Sequence, residues 1–470
     1  MRMPPLLLLV FTASAFAGAA GPLPDPLWSA NPNGIARIAF DVGGTKSDYA
    51  SAAVVTAAGG LVLGGDVAIA GDSGYGGTND YSRIGFARML GDGSDDPGFA
   101  HYLLTAYAQS NNGVIVTDLA ALPDGGAIFI GQSYHNSVRS PTVIGRLTDA
   151  GAPDTDFNAQ GYRLISGSAL TGNLASDTTP QRVRVQPDGK VLAIINAGST
   201  APLSYCAGVV RLTTEGALDS EFRAGAGTVC YAPATASPFA AASDLALLSD
   251  GSILLAGEAI HVGGSGLDMA VARLAPGGAL DTTFGTDGWA FVAFDQGGQL
   301  NDVVLALGVD ASGRIVLAGF FEGLGGIYTS GVARLLANGS PDGAFGTQGK
   351  VVLHFDINGD QNDDQAGATD VHLLAGGRIL VGGNTTPGNR VGGYALAAML
   401  QPDGSLDPDF GAGGTFVQGN SMTPDSDVIR AARVLLGGDY LYLTGNSKAT
   451  DNYDFAALRM IVPLFGNGFD

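Results

Sequence analysis

Basic residues are scarce in this chain: 23 Lys and Arg stand against 44 Asp and Glu, for a formal net charge of −21 at pH 7. So acidic a surface repels nucleic-acid phosphates and anionic lipid alike, and neither is expected as a partner. Cysteine is almost absent, with two in 470 residues, so at most one disulfide can staple the chain. The five histidines, His101, His135, His261, His354 and His372, show no ligand spacing, and neither Gly-x-Ser-x-Gly nor His-Glu-x-x-His occurs. Trp28 and Trp289 are the only tryptophans, which lowers the expectation of a sugar-stacking site. Charged residues make up only 14% of the chain against 46% hydrophobic, too apolar for disorder, and 73 glycines argue against a helical protein. After the first 20 residues no run is long and apolar enough for a membrane span.

Those first 20 residues do carry a pattern. Arg2 precedes the apolar run Leu6–Val10, continued by Phe11 and Phe16, and small residues follow at Ala15, Ala17, Ala19 and Ala20. This is a signal-peptide pattern, with cleavage expected after Ala17 or Ala20 in preference to an uncleaved anchor. A secreted, periplasmic or cell-surface location follows as the expectation, with the acidity serving solubility.

From there to the other end a unit of about 62 residues recurs. Its marker is Asp-x-x-Phe, found six times with Phe99, Phe157, Phe222, Phe284, Phe345 and Phe410 as the aromatic residue. Eleven residues before five of these stands an arginine (Arg88, Arg146, Arg211, Arg273, Arg334), with Met399 as the exception. Constant spacing implies one local structure, and a position repeated in every unit is expected to be structural: Phe plugging the space between sheets, Asp capping a turn, Arg pairing with a carboxylate or with carbonyls. A short apolar strand precedes each arginine, and a tight turn such as Gln186-Pro187-Asp188-Gly189 separates two more apolar runs. A fourth run, such as Trp289 to Phe294, follows the seam.

Four short strands per unit predict an all-β fold, a β-propeller of four-stranded antiparallel blades. Ile35–Asp41 matches the last strand of a unit without a unit before it, while Asp454–Arg459 matches a third strand without a fourth after it. If the former completes the latter, seven blades close into a ring and leave no open edge. The expected organisation is a signal peptide at 1–20, a linker at 21–33, the propeller at 34–462 and a short tail at 463–470, with the protein a monomer.

The combination of Ala-Arg-Leu, Leu-Asp-x-x-Phe-Gly, Phe-Asp and Pro-Asp-Gly-Lys resembles the delta-60 repeat of exported bacterial β-propeller proteins, over about Gly34 to Arg459. The resemblance implies fold and export; that family brings no general activity or catalytic set with it. Leu464–Asp470 is similar to a short tail of some exported proteobacterial proteins.

Three patterns hold candidate chemistry. Asp118, Asp244 and Asp370 recur at intervals of 126 residues on the strand expected to be innermost, with Arg182 and Arg184 in the same register of the third unit and His372 beside Asp370. Such side chains can line the central channel and hold a cation or ordered water, although carboxylates satisfied by neighbouring backbone and water are the stronger expectation. Asp356, Asn358 and Asp360 open like a calcium loop, but Gln361 and Gly367 occupy the places of its glycine and bidentate glutamate, so a solvated loop is expected over bound calcium. Cys206 and Cys230 lie in strands whose antiparallel pairing would bring them together, and a disulfide is expected in preference to two free thiols. Taken together, the sequence points to a non-catalytic exported propeller binding an extracellular protein or glycan through the loops 71–81, 135–141, 166–179 and 384–390. A hydrolase or cofactor-dependent dehydrogenase using the central channel is the alternative, and no cofactor is required beyond possible calcium.

Overall fold

The computed structural model describes residues 23–25, 28, 35–40, 47–68, 82–104, 114–135, 138–139, 141–171, 177–200, 203–223, 226–233, 240–260, 266–294, 297–323, 326–355, 365–386, 394–417, 430–437, 440–448 and 453–461. The signal-peptide and tail segments, the acidic loop at 356–364 and most of the long loops lie outside them. The protein is an all-β propeller built from four-stranded antiparallel blades. One blade shows the plan: Asp177–Val185, Val191–Thr200, Leu203–Leu212 and Thr228–Tyr231 pair in chain order. Val, Ile, Leu and Ala alternate across faces that are both covered, so these strands read as nearly continuous apolar runs.

Ile35–Ile38 pairs antiparallel with Tyr453–Ile461, Ile35 opposite Leu458, and supplies the outer strand of the sheet formed by Arg430–Gly437, Tyr440–Lys448 and Tyr453–Ile461. The segment 21–33, expected as a linker, contributes Leu23–Pro24, which pairs with Met460–Ile461 on the same strand. Hydrogen bonding yields six sheets where seven separate ones were expected. The difference comes from the 13-residue strand Gly297–Val309: Asn301 makes a single parallel pair with Leu267, and this joins Ala240–Val292 and Gly297–Leu353 into one eight-stranded sheet.

The apolar core is divided among the gaps between neighbouring four-stranded sets. Leu192, Ile194 and Val209 of one set, for example, meet Ala240, Leu245 and Leu255 of the next. One cluster unites Tyr442, Phe455 and Ala457 with Ala53, Leu61 and Met89, so the last sheet packs on the first and the ring closes.

Six seam phenylalanines fill the rims of these gaps, all at most 2% exposed. In each seam the Phe N–H donates to the carbonyl of the Asp three residues earlier, as Phe222 does to Asp219 at 3.1 Å. In five of them the residue after Phe then donates to the seam turn of the following unit, as Arg223 does to Gly277 at 3.0 Å and Gly346 to Asp403 at 2.7 Å. Arg211 binds Asp219 at 2.6 Å, reaches the carbonyl of Pro276 at 2.7 Å and lies over the Phe222 ring with its guanidinium carbon 4.7 Å from the centroid. Arg334 repeats this with Asp342, Pro402 and Phe345. Where Met399 replaces the arginine, Arg378 from the hairpin turn approaches Asp407 at 3.6 Å.

Every first strand slips register, Gly297–Val309 twice and the others once, as between Val116 and Asp118, Ala242 and Asp244, or Ala368 and Asp370. Such a bulge bends the strand and re-aims the next side chain. The glycine that ends the second strand's apolar run lies opposite it: a Cβ on Gly257 would collide with the Ala241 carbonyl, and one on Gly319 with that of Val303. In the third unit Ile195 takes this place, opposite Pro180 at the irregularity between Pro180 and Val183.

Candidate functional site

The bulges place charged residues at the ring's centre. Asp118, Asp244 and Asp370 are each at most 5% exposed. One oxygen of each accepts a backbone N–H from the first strand of the next unit: Asp118 from Val183 at 3.0 Å, Asp244 from Leu307 at 2.9 Å, Asp370 from Val434 at 3.0 Å. The carboxylates therefore stitch neighbouring units together along the axis.

Arginines take up the remaining charge. Arg184 spans two carboxylates, with its terminal nitrogens 2.7 Å from Asp118 and 2.7 Å from Asp244. Arg433 does the same for Asp370 at 2.8 Å and Asp118 at 3.3 Å. Arg182 lies 3.8 Å from Asp118 and 3.6 Å from Asp244 and donates to the Leu305 carbonyl at 3.2 Å. Three carboxylates face three guanidinium groups, a neutral layer across the axis. Burial alone would lower the Arg184 pKa, but Asp244 and Asp118 outweigh it and hold the guanidinium above its ordinary value. Burial pushes the Asp370 carboxyl up, against the opposing pull of Arg182 and the Val434 N–H. His372 is spent on the Val434 carbonyl, 2.8 Å from Nε2.

The structure thus brings together Asp118, Asp244, Asp370, Arg182 and Arg184, with His372 beside them. The three acids do not converge on a common cation position, and among the described residues no group of three His, Cys, Asp or Glu side chains could hold a metal. Asp356, Asn358 and Asp360 lie outside the described residues. Arg433 was missed in the sequence; it stands 63 residues after Asp370, and counting one more unit along the first strands would have found it. Cys206 and Cys230 form a disulfide across neighbouring strands, their Cα atoms 5.5 Å apart.

A second set of polar residues also escaped the sequence reading. The position after the close-approach glycine holds Asp66, Gln132, Asn196, Glu258, Asn384 and Asn446, with Phe320 the exception and Ile195 preceding Asn196 in place of glycine. Asn196 makes two hydrogen bonds of 2.9 Å with the backbone of Ala242 in the next unit, and Gln132 donates to the Thr178 carbonyl at 2.9 Å. Glu258 stands in this position as a carboxyl, and burial pushes its pKa up to about 7.

Antiparallel pairing sorts the connections onto two rims. Tight first-to-second hairpins such as 248–252 share one rim with the seams; second-to-third and sheet-to-sheet connections leave from the other. The longest stretches of sequence outside the described residues, among them 69–81, 387–393 and 418–429, fall between second and third strands or between sheets. Among the described residues no helix is long and apolar enough to cross a membrane.

No curated protein matches the chain. Among solved structures, a protein of unknown function from Dyadobacter fermentans is similar at 10% identity, with 91% of this chain and 99% of that one covered and a TM-score of 0.44. A polysaccharide lyase is similar at 12% identity, covering 94% and 97%, with a TM-score of 0.46. A Trypanosoma rangeli sialidase in complex with the inhibitor DANA gives 12%, 94% and 60%, with a TM-score of 0.36. At such likeness none of their activities transfers to this chain. Residues 186–222, 248–284 and 311–345 match the family described as Domain of unknown function (DUF5122) beta-propeller, in keeping with the all-β propeller fold of this chain.

Proposed function

We propose that this is an exported, non-catalytic propeller of seven blades that binds or scaffolds an extracellular protein or glycan through the rim bearing its long connections. The observation that carries the reading is the axial layer: Asp118, Asp244 and Asp370 are committed to Arg184, Arg433 and to backbone N–H groups. A general acid or base needs a proton it can exchange with substrate, and these groups are neutralised by partners within the fold. Seven blades are supported by the division of the eight-stranded sheet at its single parallel pair. Export is supported by the signal-peptide pattern and by the disulfide, which persists in oxidising compartments.

The test compares two variants of the full chain, one with 71–81 and 387–390 replaced by Gly-Ser segments of equal length, the other with Arg184→Met. Capture of a partner from the native secretome, or retention on a glycan array, should be lost by the loop variant and kept by R184M. Turnover of a polysaccharide or ester by the parent chain, abolished in a folded R184M variant, would replace binding with the channel-enzyme reading.

A further inference from the structure

In five units Asp-x-x-Phe binds an arginine eleven residues before its own Phe. In the sheet Arg430–Ile461 the partner comes from 434 residues away: Arg459 holds Asp25, Nε at 2.9 Å and the second terminal nitrogen at 2.7 Å. The Asp25 N–H donates to the Arg459 carbonyl at 2.9 Å, as Asp219 does to Arg211 and Asp342 to Arg334. Three residues on, the Trp28 N–H donates to the Asp25 carbonyl at 3.2 Å, where Phe does so in the other seams, and the indole is fully buried. Asp25-Pro26-Leu27-Trp28 is therefore a seventh copy of the seam, with tryptophan for phenylalanine. It goes unnoticed in the sequence because no arginine precedes it.

We propose that the slot between strand Tyr453–Ile461 and the turn at Gly91 is a peptide-binding site, and that Leu23, Pro24, Asp25 and Trp28 occupy it as a ligand in cis. The slot recognises a short strand that runs into a turn, with a carboxylate opening the turn and an aromatic ring three residues later. Strand pairing of Leu23–Pro24 with Met460–Ile461 supplies sequence-independent affinity, as in other sheet-edge recognition. Arg459 supplies the selection: its guanidinium carbon lies 4.1 Å from the Tyr440 centroid and 5.7 Å from the Trp28 ring, while its remaining terminal nitrogen donates to the Gly91 carbonyl at 2.6 Å. The site's walls thus belong to the last sheet and the first, and its ligand bridges them. Tyr442 meets the indole edge-on at 5.9 Å, and the buried Trp28 Nε1 has no hydrogen-bond partner among the described residues, so the slot reads an aromatic face and not an indole N–H. This site is independent of the loop rim and of whatever that rim binds.

The test uses the full chain with a protease site in place of residues 29–33. After cutting, a fluorescent Leu-Pro-Asp-Pro-Leu-Trp peptide should enter the slot saturably, the same peptide with alanine for both Asp and Trp should bind at least tenfold more weakly, and the uncut chain should take up neither. Should the cut chain not stay folded, the uncut Asp25→Ala/Trp28→Ala variant answers the same question: it should accept the peptide, whereas wild type and Trp28→Phe should not. Absence of binding to both the folded cut chain and the double variant overturns the proposal, as does equal affinity for the alanine peptide.

Discussion

Replacing Glu258 with glutamine is expected to remove a pH-dependent weakness from the ring. The residue stands where Gln132 and Asn196 reach the backbone of the next unit through an amide. Burial lifts its carboxyl from the ordinary 4.5 to about 7. The sign follows from which state ionises first. Below the ordinary value both folded and unfolded chains hold the proton, so the group is neutral to stability. As pH rises, the unfolded chain ionises freely while the folded one does not until about 7, so stability falls across that window and is flat above it. A displacement of this size corresponds to about 3 kcal/mol in full, of which about 2–3 kcal/mol falls between pH 5 and 8. Glutamine keeps the shape and carries no proton to lose. Urea unfolding of both proteins at pH 5, 6, 7 and 8 reads the effect, because every other titrating group cancels in their difference. The advantage of E258Q should grow with pH up to about 7; a difference constant within about 0.5 kcal/mol would refute a buried, isolated carboxyl at this position.

Truncating a seam aromatic, Phe222→Ala, should cost about 3–5 kcal/mol in chemical unfolding, since the ring is fully buried and its neighbours cannot collapse around it; a cost below about 1 kcal/mol would mean the gap closes. Asp118→Asn keeps the size but leaves Arg184 and Arg433 each with one carboxylate instead of two, and should destabilise by about 3–5 kcal/mol, measured the same way and set against the near-neutral result expected for exposed Asp188→Asn. The seam carboxyls Asp219 and Asp342 are also buried, yet turn N–H groups and the partner arginines outweigh that and hold them below the ordinary 3.8. Their contribution is present above that value and lost as pH falls through their lower folded values, so Asp342→Asn should flatten the acid limb of a pH–stability curve. Replacing both cysteines with serine opens a bond spanning 24 residues and should cost about 3 kcal/mol, read as a lower denaturant midpoint that matches the reduced wild type.

Much of the fold was legible because repetition averages out local ambiguity. Six aligned copies of Asp-x-x-Phe locate one turn far better than one copy could, and buried aromatics at a fixed offset from a turn have few places to go but a sheet-to-sheet gap. The disulfide pair was legible for the same reason, since the aligned strands put Cys206 and Cys230 side by side. What escaped depends on departures from regularity. A one-residue bulge changes which side chain faces the axis, and nothing in the residue types around Ala431–Arg433 announces it. The link between Leu267 and Asn301 depends on where a glycine-rich strand begins, which sequence fixes poorly. Nothing in the sequence around Glu258 separates it from an exposed acid, since its burial depends on packing that its own strand does not spell out. Trp28 was hidden by substitution of one aromatic residue for another, with its arginine at the far side of the sequence.

That last contact has a consequence in time. The other seams form between residues about eight apart, as soon as a turn and its strand exist. The one joining Asp25 to Arg459 must wait until nearly the whole chain is available, and bringing such distant residues together carries a loop-closure cost that local turns avoid. Until then the array is an arc with two raw faces: Ala53, Leu61 and Met89 at one end and Tyr442, Phe455 and Ala457 at the other, each waiting for the other. The slow and aggregation-prone interval of this protein's folding is therefore expected to be its final step, when a string of nearly finished sheets becomes a circle.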